Sequence, residues 1–431
     1  MSTRRWLGAI AAAAAAAAGA VVVASQDSDV EADDNAPPLR TIAARVEKLR
    51  DLRFHRLPKI ERLSRSQLRR RAQDEARQMS AAQRRRLQGG GDALKLLGFI
   101  PNHADVVAGS TDVSGIAGLY DYRTHRLTLV KRAPNDLQAE ITFAHELLHA
   151  LEDDAIGLEP PTAAGADDQT LAFSALAEGS ATLLEARYAD RYLGGRPVVR
   201  RIARATTRSN RKISFSPEAY YRNSLRFLYD DGARFVAQLY RRGGNAALTR
   251  TLRDRRPISS EQILHPDAYF ANESPAPVAL RPGAVLGRGW GRVSAGTFGE
   301  FDTSQLLLFG AAADDDTNRR AAAKAAAGWD GGRYELWRAK DAGFCPSPCA
   351  ESSALVIGWH FDTPAQAAEL AQLVPAYLEG FQHMKPAGRE VWRNSTGAAS
   401  FVLRAADATL TLAPRPDVAH KLALTGRSAG S

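Results

Sequence analysis

The chain is organised around the stretch Ala144-His145-Glu146-Leu147-Leu148-His149-Ala150-Leu151-Glu152-Asp153-Asp154. Side chains four residues apart on a helix project from one face, so the imidazoles of His145 and His149 can reach a single metal ion such as Zn²⁺. Glu146 stands beside them, where a carboxylate can take a proton from water at the metal. This spacing predicts a metal-dependent hydrolytic centre.

The flanking apolar residues predict that this stretch is a buried helix. They recur at helical spacing and would seat the helix in a core while the histidine pair faces a cleft. These residues are Ile141, Phe143, Leu147, Leu148 and Leu151. The alternative interpretation is a buried helix whose histidines only hydrogen-bond to their neighbours.

A third protein ligand is expected downstream, because a catalytic zinc site usually has three protein ligands and one open position. No further histidine follows at the short, glycine-containing spacing of a three-histidine site, so a carboxylate on a second helix is the better candidate. Residues 172–185 predict that helix, and Glu178 lies there among small apolar residues, where a buried acid needs a charged partner. We predict Glu178 as the third ligand. Glu185 is the competing ligand, and a solvent-facing Glu178 is the alternative.

Composition does not indicate a nucleic-acid-binding protein, although the 431 residues carry a net charge of +9. The densest basic run, residues 65–86, has no nucleic-acid-binding motif near it and no interleaved aromatic residues for base stacking. We interpret the run as solvated helix faces, with contact to an anionic envelope polymer or membrane surface as the functional alternative.

The N-terminus predicts export. Arg4-Arg5 precede an apolar segment from Trp6 to Val23, and Val22-Val23-Ala24 offers a small-residue cleavage site. Residues 1–24 are therefore predicted to be a signal peptide, or a membrane anchor if they are not cleaved. The acidic, proline-ended residues 25–38 are predicted to be a disordered linker. We expect a secreted or cell-envelope protein that contacts a membrane only through an uncleaved N-terminal segment.

The remaining pattern predicts an α+β fold in two parts, of residues 39–272 and 273–431. The first part is expected to be mostly helical, with a β-hairpin over 115–131 directly before the histidine helix. Its expected helices cover residues 40–53, 64–97 with a break at Gly89-Gly90-Gly91, 218–242, 245–253 and a short piece capped by Ser259 or Ser260. The sequence leaves open whether the helices of residues 40–97 are a removable prosegment or part of the fold.

The C-terminal part is expected to be a smaller α+β domain without a metal or nucleophile site of its own. Extended pieces are predicted at 290–293 and 299–301, helices at 304–327 and 363–384, and strands at 328–337, 354–361 and, as a final pair, within 391–412. Cys345 and Cys349 are expected to close a small disulfide loop in an oxidising compartment.

Two segments resemble a known family, the gluzincin-type zinc metallopeptidases. They are His145-Glu146-Leu147-Leu148-His149-Ala150-Leu151-Glu152-Asp153 and Ala177-Glu178-Gly179-Ser180-Ala181. More narrowly, the chain is similar to a group of exported bacterial metallopeptidases, through Gly118–Asp121, Tyr229–Gly232, residues 261–266 and residues 327–331. That group often has Asp-Gln after the helix, where this chain has Asp153-Asp154. The resemblance implies a zincin-like domain in which His145, His149 and Glu178 bind zinc and Glu146 is the general base.

A hydrolytic centre also needs a donor for the developing oxyanion, and gluzincin-like sites typically use a histidine or a tyrosine. His265 and Tyr229 are the candidates. Each has a structural alternative, because a tyrosine on an apolar helix is often a core residue and His265 before Pro266 can cap a turn. Asp153, one turn beyond His149, is a candidate to orient an imidazole.

These features lead us to expect an exported zinc metallopeptidase that acts on a peptide or protein substrate. One alternative is a non-catalytic envelope-binding module that retains a zincin scaffold, and another is an amidase that cleaves cell-wall peptides. The intact Glu146 favours an enzyme, since a scaffold needs no base.

Overall fold

A computed structural model describes residues 20–22, 39–109, 113, 116–130, 137–161, 167–195, 217–311, 315–425 and 427–428. The predicted linker of residues 25–38 lies outside these ranges. So does the predicted signal segment, except for Ala20–Val22. Within the described ranges, no helix has both the length and the apolar composition needed to cross a membrane.

The described part is an α+β fold with more helix than strand. The helices are α1 (Leu39–Arg50), α2 (Arg65–Arg77), α3 (Ala81–Leu96), α4 (Val106–Gly109), α5 (Leu137–Ile156), α6 (Asp167–Tyr192), α7 (Pro217–Arg226), α8 (Gly232–Asp254), α9 (Ser260–Leu264), α10 (Pro266–Ala271), α11 (Pro282–Leu286), α12 (Glu300–Phe309), α13 (Asp316–Ala326), α14 (Pro364–Ala376) and α15 (Pro416–Ala423). Single π-helical turns follow α7 and α14, at Phe227–Asp231 and Tyr377–Phe381.

The strands form three sheets. They are β1 (Ala20–Val22), β2 (Lys59–Leu63), β3 (Ile116–Asp121), β4 (Arg126–Val130), β5 (Val278–Ala279), β6 (Trp290–Thr297), β7 (Trp329–Ala339), β8 (Ser353–Phe361), β9 (Lys385–Gly388), β10 (Val391–Arg393), β11 (Ala398–Arg404), β12 (Asp407–Ala413) and β13 (Arg427–Ser428). The orders are β1-β3-β4-β2, β6-β7-β8-β12-β11-β10-β9 and β13-β5.

The predicted hairpin is confirmed as β3 and β4, which pair antiparallel with Gly118 opposite Leu129. Its turn is held by the Asp121 carboxylate, which accepts hydrogen bonds from the backbone amides of Arg123 and Thr124. β2 adds to β4 in parallel and β1 adds to β3 antiparallel. The sequence did not predict either addition, because strand pairing over long separations leaves no local pattern.

The predicted helix break at Gly89-Gly90-Gly91 is wrong. α3 continues through the glycines, and the interruption lies before Ser80, whose side chain caps α3 in a capping box. A Cβ on Gly89 would lie 3.0 Å from Val293 Cγ1, so the missing side chain lets α3 pack closely on β6. Tertiary packing therefore outweighs the low helix propensity of glycine.

The N-terminal helices are built into the core. α1 buries the predicted face, Ile42, Val46 and Leu49, in a cluster with α5 and the end of α6. At the end of α1, Arg50 is 2% exposed and its Nε lies 2.7 Å from Oε1 of the fully buried Glu152 on α5. α1 is thus tied to the helix that carries the histidine pair.

The seven-stranded C-terminal sheet is antiparallel throughout and is covered on both faces. One face packs on α12 and α14 and joins the helical part in one hydrophobic cluster. The other face packs on α15. The extended piece predicted at 299–301 is wrong, since α12 begins at Glu300. Three strands, β10 to β12, occupy the region predicted to contain two.

Candidate metal centre

α5 places the histidine pair in the interior of the protein. All five residues of its predicted apolar face are buried: Ile141, Phe143, Leu147, Leu148 and Leu151. His145 is 1% exposed, and Glu146 and His149 are fully buried. The helix is therefore fixed by packing on one side while it presents the three polar side chains to α6 and β3.

α6 brings Glu178 to the histidines, as predicted. Glu178 is 1% exposed, its Oε2 lies 3.1 Å from His145 Nε2, and its Oε1 lies 3.8 Å from His149 Nε2. One potential ligand atom from each of the three residues lies within 4.8 Å of the other two. This buried group can hold a metal ion.

The protein atoms around this group fit a cation. His149 Nε2 is buried and has no hydrogen-bond partner among the described residues. A buried polar atom without a partner is costly, and a metal ion at this position would satisfy it. Two imidazoles and one carboxylate are a donor set suited to a divalent transition-metal ion.

The second nitrogen of each imidazole is also held. His145 Nδ1 lies 2.8 Å from Glu185 Oε1, and His149 Nδ1 lies 3.2 Å from the Tyr122 hydroxyl. These contacts turn both Nε2 atoms towards Glu178, as outer partners of metal ligands commonly do. Glu185, the competing ligand in the sequence, thus contacts the far side of His145. Sequence reasoning missed Tyr122, whose role depends on how the hairpin packs against α5.

Burial and charge affect the two histidines differently. Burial lowers the pKa of His149 to about 4, so this imidazole is neutral and has a free lone pair. Burial also opposes the charged form of His145, but hydrogen bonds to Glu178 and Glu185 outweigh it and raise the pKa. Burial raises the pKa of Glu146 well above its ordinary value.

β3 covers the Glu146 side chain. A Cβ on Gly118 would lie 2.7 Å from Glu146 Cγ and 3.1 Å from its Oε1, so only glycine lets the strand pass this close. Both carboxylate oxygens are fully buried. The hairpin predicted before the histidine helix therefore forms the wall of the centre next to Glu146.

Tyr229 also contacts the metal-binding group, from a segment other than α5, α6 and β3. It lies in the π-helical turn between α7 and α8, its ring centroid is 6.4 Å from that of His145, and its hydroxyl hydrogen-bonds to Glu178. Burial raises its pKa well above the ordinary value, and Glu178 adds to the rise. Tyr229 is thus a neutral hydroxyl beside the metal-binding group.

Two glycines allow the π-helical turn that carries Tyr229 to lie this close to Glu178. A Cβ on Gly179 would lie 2.3 Å from the backbone carbon of Gly232, and a Cβ on Gly232 would lie 2.1 Å from the Ala175 oxygen. α6 and α8 therefore touch backbone to backbone one residue beyond Glu178. The small residues around Glu178, read from the sequence as surroundings of a buried acid, also serve this contact.

Two further residues singled out in the sequence, His265 and Asp153, have partners other than His145 and His149. His265 is half-exposed, and its Nε2 lies 2.8 Å from Glu300 Oε1 at the start of α12. Among the described residues, its hydrogen-bond partner is this glutamate, and the charges that act on it are those of Glu300, Glu261 and Asp362, not those of the metal-binding group. Asp153 does bind an imidazole, but it is that of His125, at 2.8 Å, while it also accepts a hydrogen bond from Tyr120.

Comparison with known proteins identifies only the C-terminal part. A family model described as a domain of unknown function (DUF8575) matches residues 285–424, from α11 to α15. This range covers the seven-stranded sheet and contains none of the metal-binding residues. No curated protein matches the chain. No solved structure matches it either.

Proposed function

We propose that this protein is an exported zinc-dependent metallopeptidase that hydrolyses peptide bonds in a peptide or protein substrate. The observation that carries the proposal is the convergence of His145, His149 and Glu178 in a buried group with Glu146 beside it. Two histidines and one glutamate form the ligand set of several zinc peptidases, and they leave one position open.

The residues around the group have the chemistry that hydrolysis needs. Zinc, when bound, lowers the pKa of a coordinated water and polarises the scissile carbonyl. Glu146, buried beside the metal-binding group, can accept the proton of the attacking water and pass it to the leaving amine. Its burial beneath β3 keeps bulk water from competing for that proton.

Tyr229 is the better candidate for stabilising the oxyanion. Its neutral hydroxyl can donate a hydrogen bond to the charge that develops on the carbonyl oxygen. Tyr229 contacts the metal-binding group through Glu178, whereas the partner of His265 in the described structure is Glu300. We therefore assign His265 a structural role at the junction of α9 and α10, where it ends one helix and begins the next.

The test is metal analysis and peptide cleavage on the parent protein and on two variants. We expect one zinc per chain in the parent. Glu178→Ala should lose the metal, whereas Glu146→Gln should keep it and cleave a peptide library about 10²- to 10⁴-fold more slowly. Glu351→Ala, at an exposed glutamate far from the group in sequence, is the matched control and should behave like the parent.

Each outcome has a defined meaning. A parent protein that binds no zinc would overturn the metal assignment. Zinc binding by the parent without cleavage of any peptide would instead favour the non-catalytic binding module.

A further inference from the structure

Glu152 is a fully buried acid next to the metal centre that the proposed reaction does not use. It lies three residues beyond His149 on α5, so both side chains project from the same face of the helix. A buried carboxylate is costly unless it is paired and hydrogen-bonded. The partners of Glu152 therefore indicate why an acid is held at this position.

Two helices supply the partners of Glu152. Arg50 of α1, which is 2% exposed, donates from Nε to Glu152 Oε1 at 2.7 Å. The hydroxyl of Ser180 on α6 donates to the same oxygen at 2.6 Å. Ser180 is buried as well and follows Glu178 by two residues. Glu152 therefore links the helix of the histidine pair to the helix of Glu178.

Arg50 extends these contacts to a third helix. Its Nη1 lies 3.1 Å from the Thr249 hydroxyl and 3.2 Å from the Asn245 carbonyl oxygen, both on α8. The Asn245 side-chain amide in turn donates to the Leu49 carbonyl oxygen at 3.0 Å. α8 begins directly after the π-helical turn that carries Tyr229. One arginine of α1 thus contacts the helix of the histidines and the helix that follows Tyr229.

A metal site on two helices depends on their relative position. Zinc requires nitrogen and oxygen ligands at about 2.0 to 2.2 Å. His149 and Glu178 lie on different helices, so a displacement of α5 against α6 by about 1 Å would take one of them out of reach of the ion. The hydrogen bond from Ser180 to Glu152 opposes this displacement, because it joins the two helices close to both ligands in the chain.

We propose that Glu152 is a positioning residue of the metal centre, held by Arg50 and Ser180 so that α5 and α6 present His149 and Glu178 to one ion. This inference rests on the proposed zinc site and adds that α1 is part of it. Removal of α1 would leave the Glu152 carboxylate buried without its charged partner, which is strongly destabilising. Residues 39–50 are therefore no removable prosegment, and the mature protein retains them.

The first test compares two buried serines of α6. Ser180→Ala removes the hydroxyl that contacts Glu152, whereas Ser174→Ala removes a hydroxyl that donates to the Thr170 carbonyl of the same helix. Each variant loses one buried hydrogen bond, so urea denaturation of the metal-free protein should show losses of similar size. Zinc affinity, measured by chelator competition, should fall about tenfold in Ser180→Ala and stay at the parent value in Ser174→Ala.

Variants of Arg50 separate positioning from stability. Arg50→Met leaves Glu152 unpaired and should destabilise the protein, whereas Arg50→Met combined with Glu152→Met replaces both charges by apolar groups and should restore stability. We expect this double variant to unfold like the parent but to bind zinc about tenfold more weakly. Recovery of zinc affinity together with stability would overturn the positioning role. Arg53→Met, at an arginine whose side chain is 80% exposed, is the control and should match the parent.

N-terminal sequencing of the exported, zinc-loaded protein tests the role of α1. We expect every zinc-loaded chain to begin before Leu39, and a zinc-loaded chain that begins after Arg50 would overturn the proposal. A parent protein without zinc would overturn the metal assignment and this inference together. Zinc binding by the parent, with equal affinities in Ser180→Ala and Ser174→Ala, would overturn this inference alone.

Discussion

The two candidate ligand histidines differ in what holds their outer nitrogens. His145 contacts the carboxylate of Glu185, whereas His149 contacts the neutral hydroxyl of Tyr122. A carboxylate raises the basicity of an imidazole ligand more than a hydroxyl does. His145 is therefore the ligand whose affinity for the metal depends most on its outer partner.

Replacing Glu185 should weaken metal binding without removing a ligand. We expect Glu185→Ala to lower zinc affinity about 10- to 100-fold, and Glu185→Gln to lower it less because the amide oxygen still accepts a hydrogen bond. Chelator competition measures both. Glu75→Ala, at an exposed glutamate on α2, is the control. Unchanged affinity in Glu185→Ala would show that Glu185 does not position His145.

The sequence could predict the residues of the candidate metal-binding group because most of their spacing is local. His145, Glu146 and His149 share one helical face at fixed separations, and Glu178 was singled out by its apolar neighbours. The choice between Tyr229 and His265 could not be made in this way. It depends on which helix crosses α6, and that crossing is a tertiary contact.

The crossing of α6 and α8 determines the shape of the centre. Gly179 and Gly232 face each other, and the π-helical turn before Gly232 carries Tyr229 to Glu178. The additional residue in a π-turn changes the direction of the following side chains, which is why such turns are frequent at functional sites.

Adding one methyl group at this crossing should be costly. Gly232→Ala would place its Cβ 2.1 Å from the Ala175 oxygen, so the helices must separate. We expect the free energy of unfolding to fall by about 1 to 3 kcal/mol, measured by urea denaturation, and zinc affinity to fall with it. Gly109→Ala is the control, because its Cβ meets no atom within 4 Å. Equal stability of Gly232→Ala and the parent would contradict the close contact.

Periodicity predicted most of the helices, but packing determined where several of them end. The sequence predicted Ser259 or Ser260 as a cap, since a cap is a property of neighbouring residues, and the structure has Ser259 in that position. The continuation of α3 through three glycines and the parallel pairing of β2 depend on residues far away in the chain. No local pattern predicts them.

Buried acids lie where the helical part meets the C-terminal sheet. Burial raises the pKa of Asp167 and of Asp168 to about 6, and that of Asp302 to about 8. Asp302 accepts a hydrogen bond of 2.9 Å from the Tyr220 hydroxyl, and Asp167 accepts one from Tyr334. The partner of Asp302 is neutral and does not require a charged carboxylate, whereas the charge of Arg86 lowers the pKa of Asp167 against the larger effect of burial.

The raised pKa of Asp302 predicts a pH-dependent stability. Between its ordinary value of 3.8 and about 8, the folded protein binds more protons than the unfolded chain, so stability falls as pH rises. Asp302→Asn keeps the acceptor for Tyr220 and cannot ionise. We expect the variant to match the parent near pH 4 and to exceed it by about 1 kcal/mol or more at pH 8.

Thermal unfolding across this pH range measures the difference between parent and variant. Asp341→Asn, at an exposed acid, is the control and should show no such trend. A constant difference between Asp302→Asn and the parent from pH 4 to 8 would contradict the proposed protonation of Asp302.

The α+β class was predictable from the order of helical and alternating patterns. The joining of the two parts was not, because Leu176 of α6 and Trp359 of β8 belong to one cluster although they lie 183 positions apart in the chain, and only folding brings them together. The predicted boundary near residue 272 marks a change of composition, while the hydrophobic core runs across it.

The two walls of the metal centre differ in how freely they can move. At the crossing of α6 and α8, backbone packs on backbone, so no side chain can change rotamer to let Glu178 and Tyr229 separate. The opposite wall is a hairpin, whose strands β3 and β4 are each only a few residues long. For the proposed peptidase, the hairpin is therefore the described wall that we expect to yield when a peptide enters, through displacement of Gly118 and Tyr122.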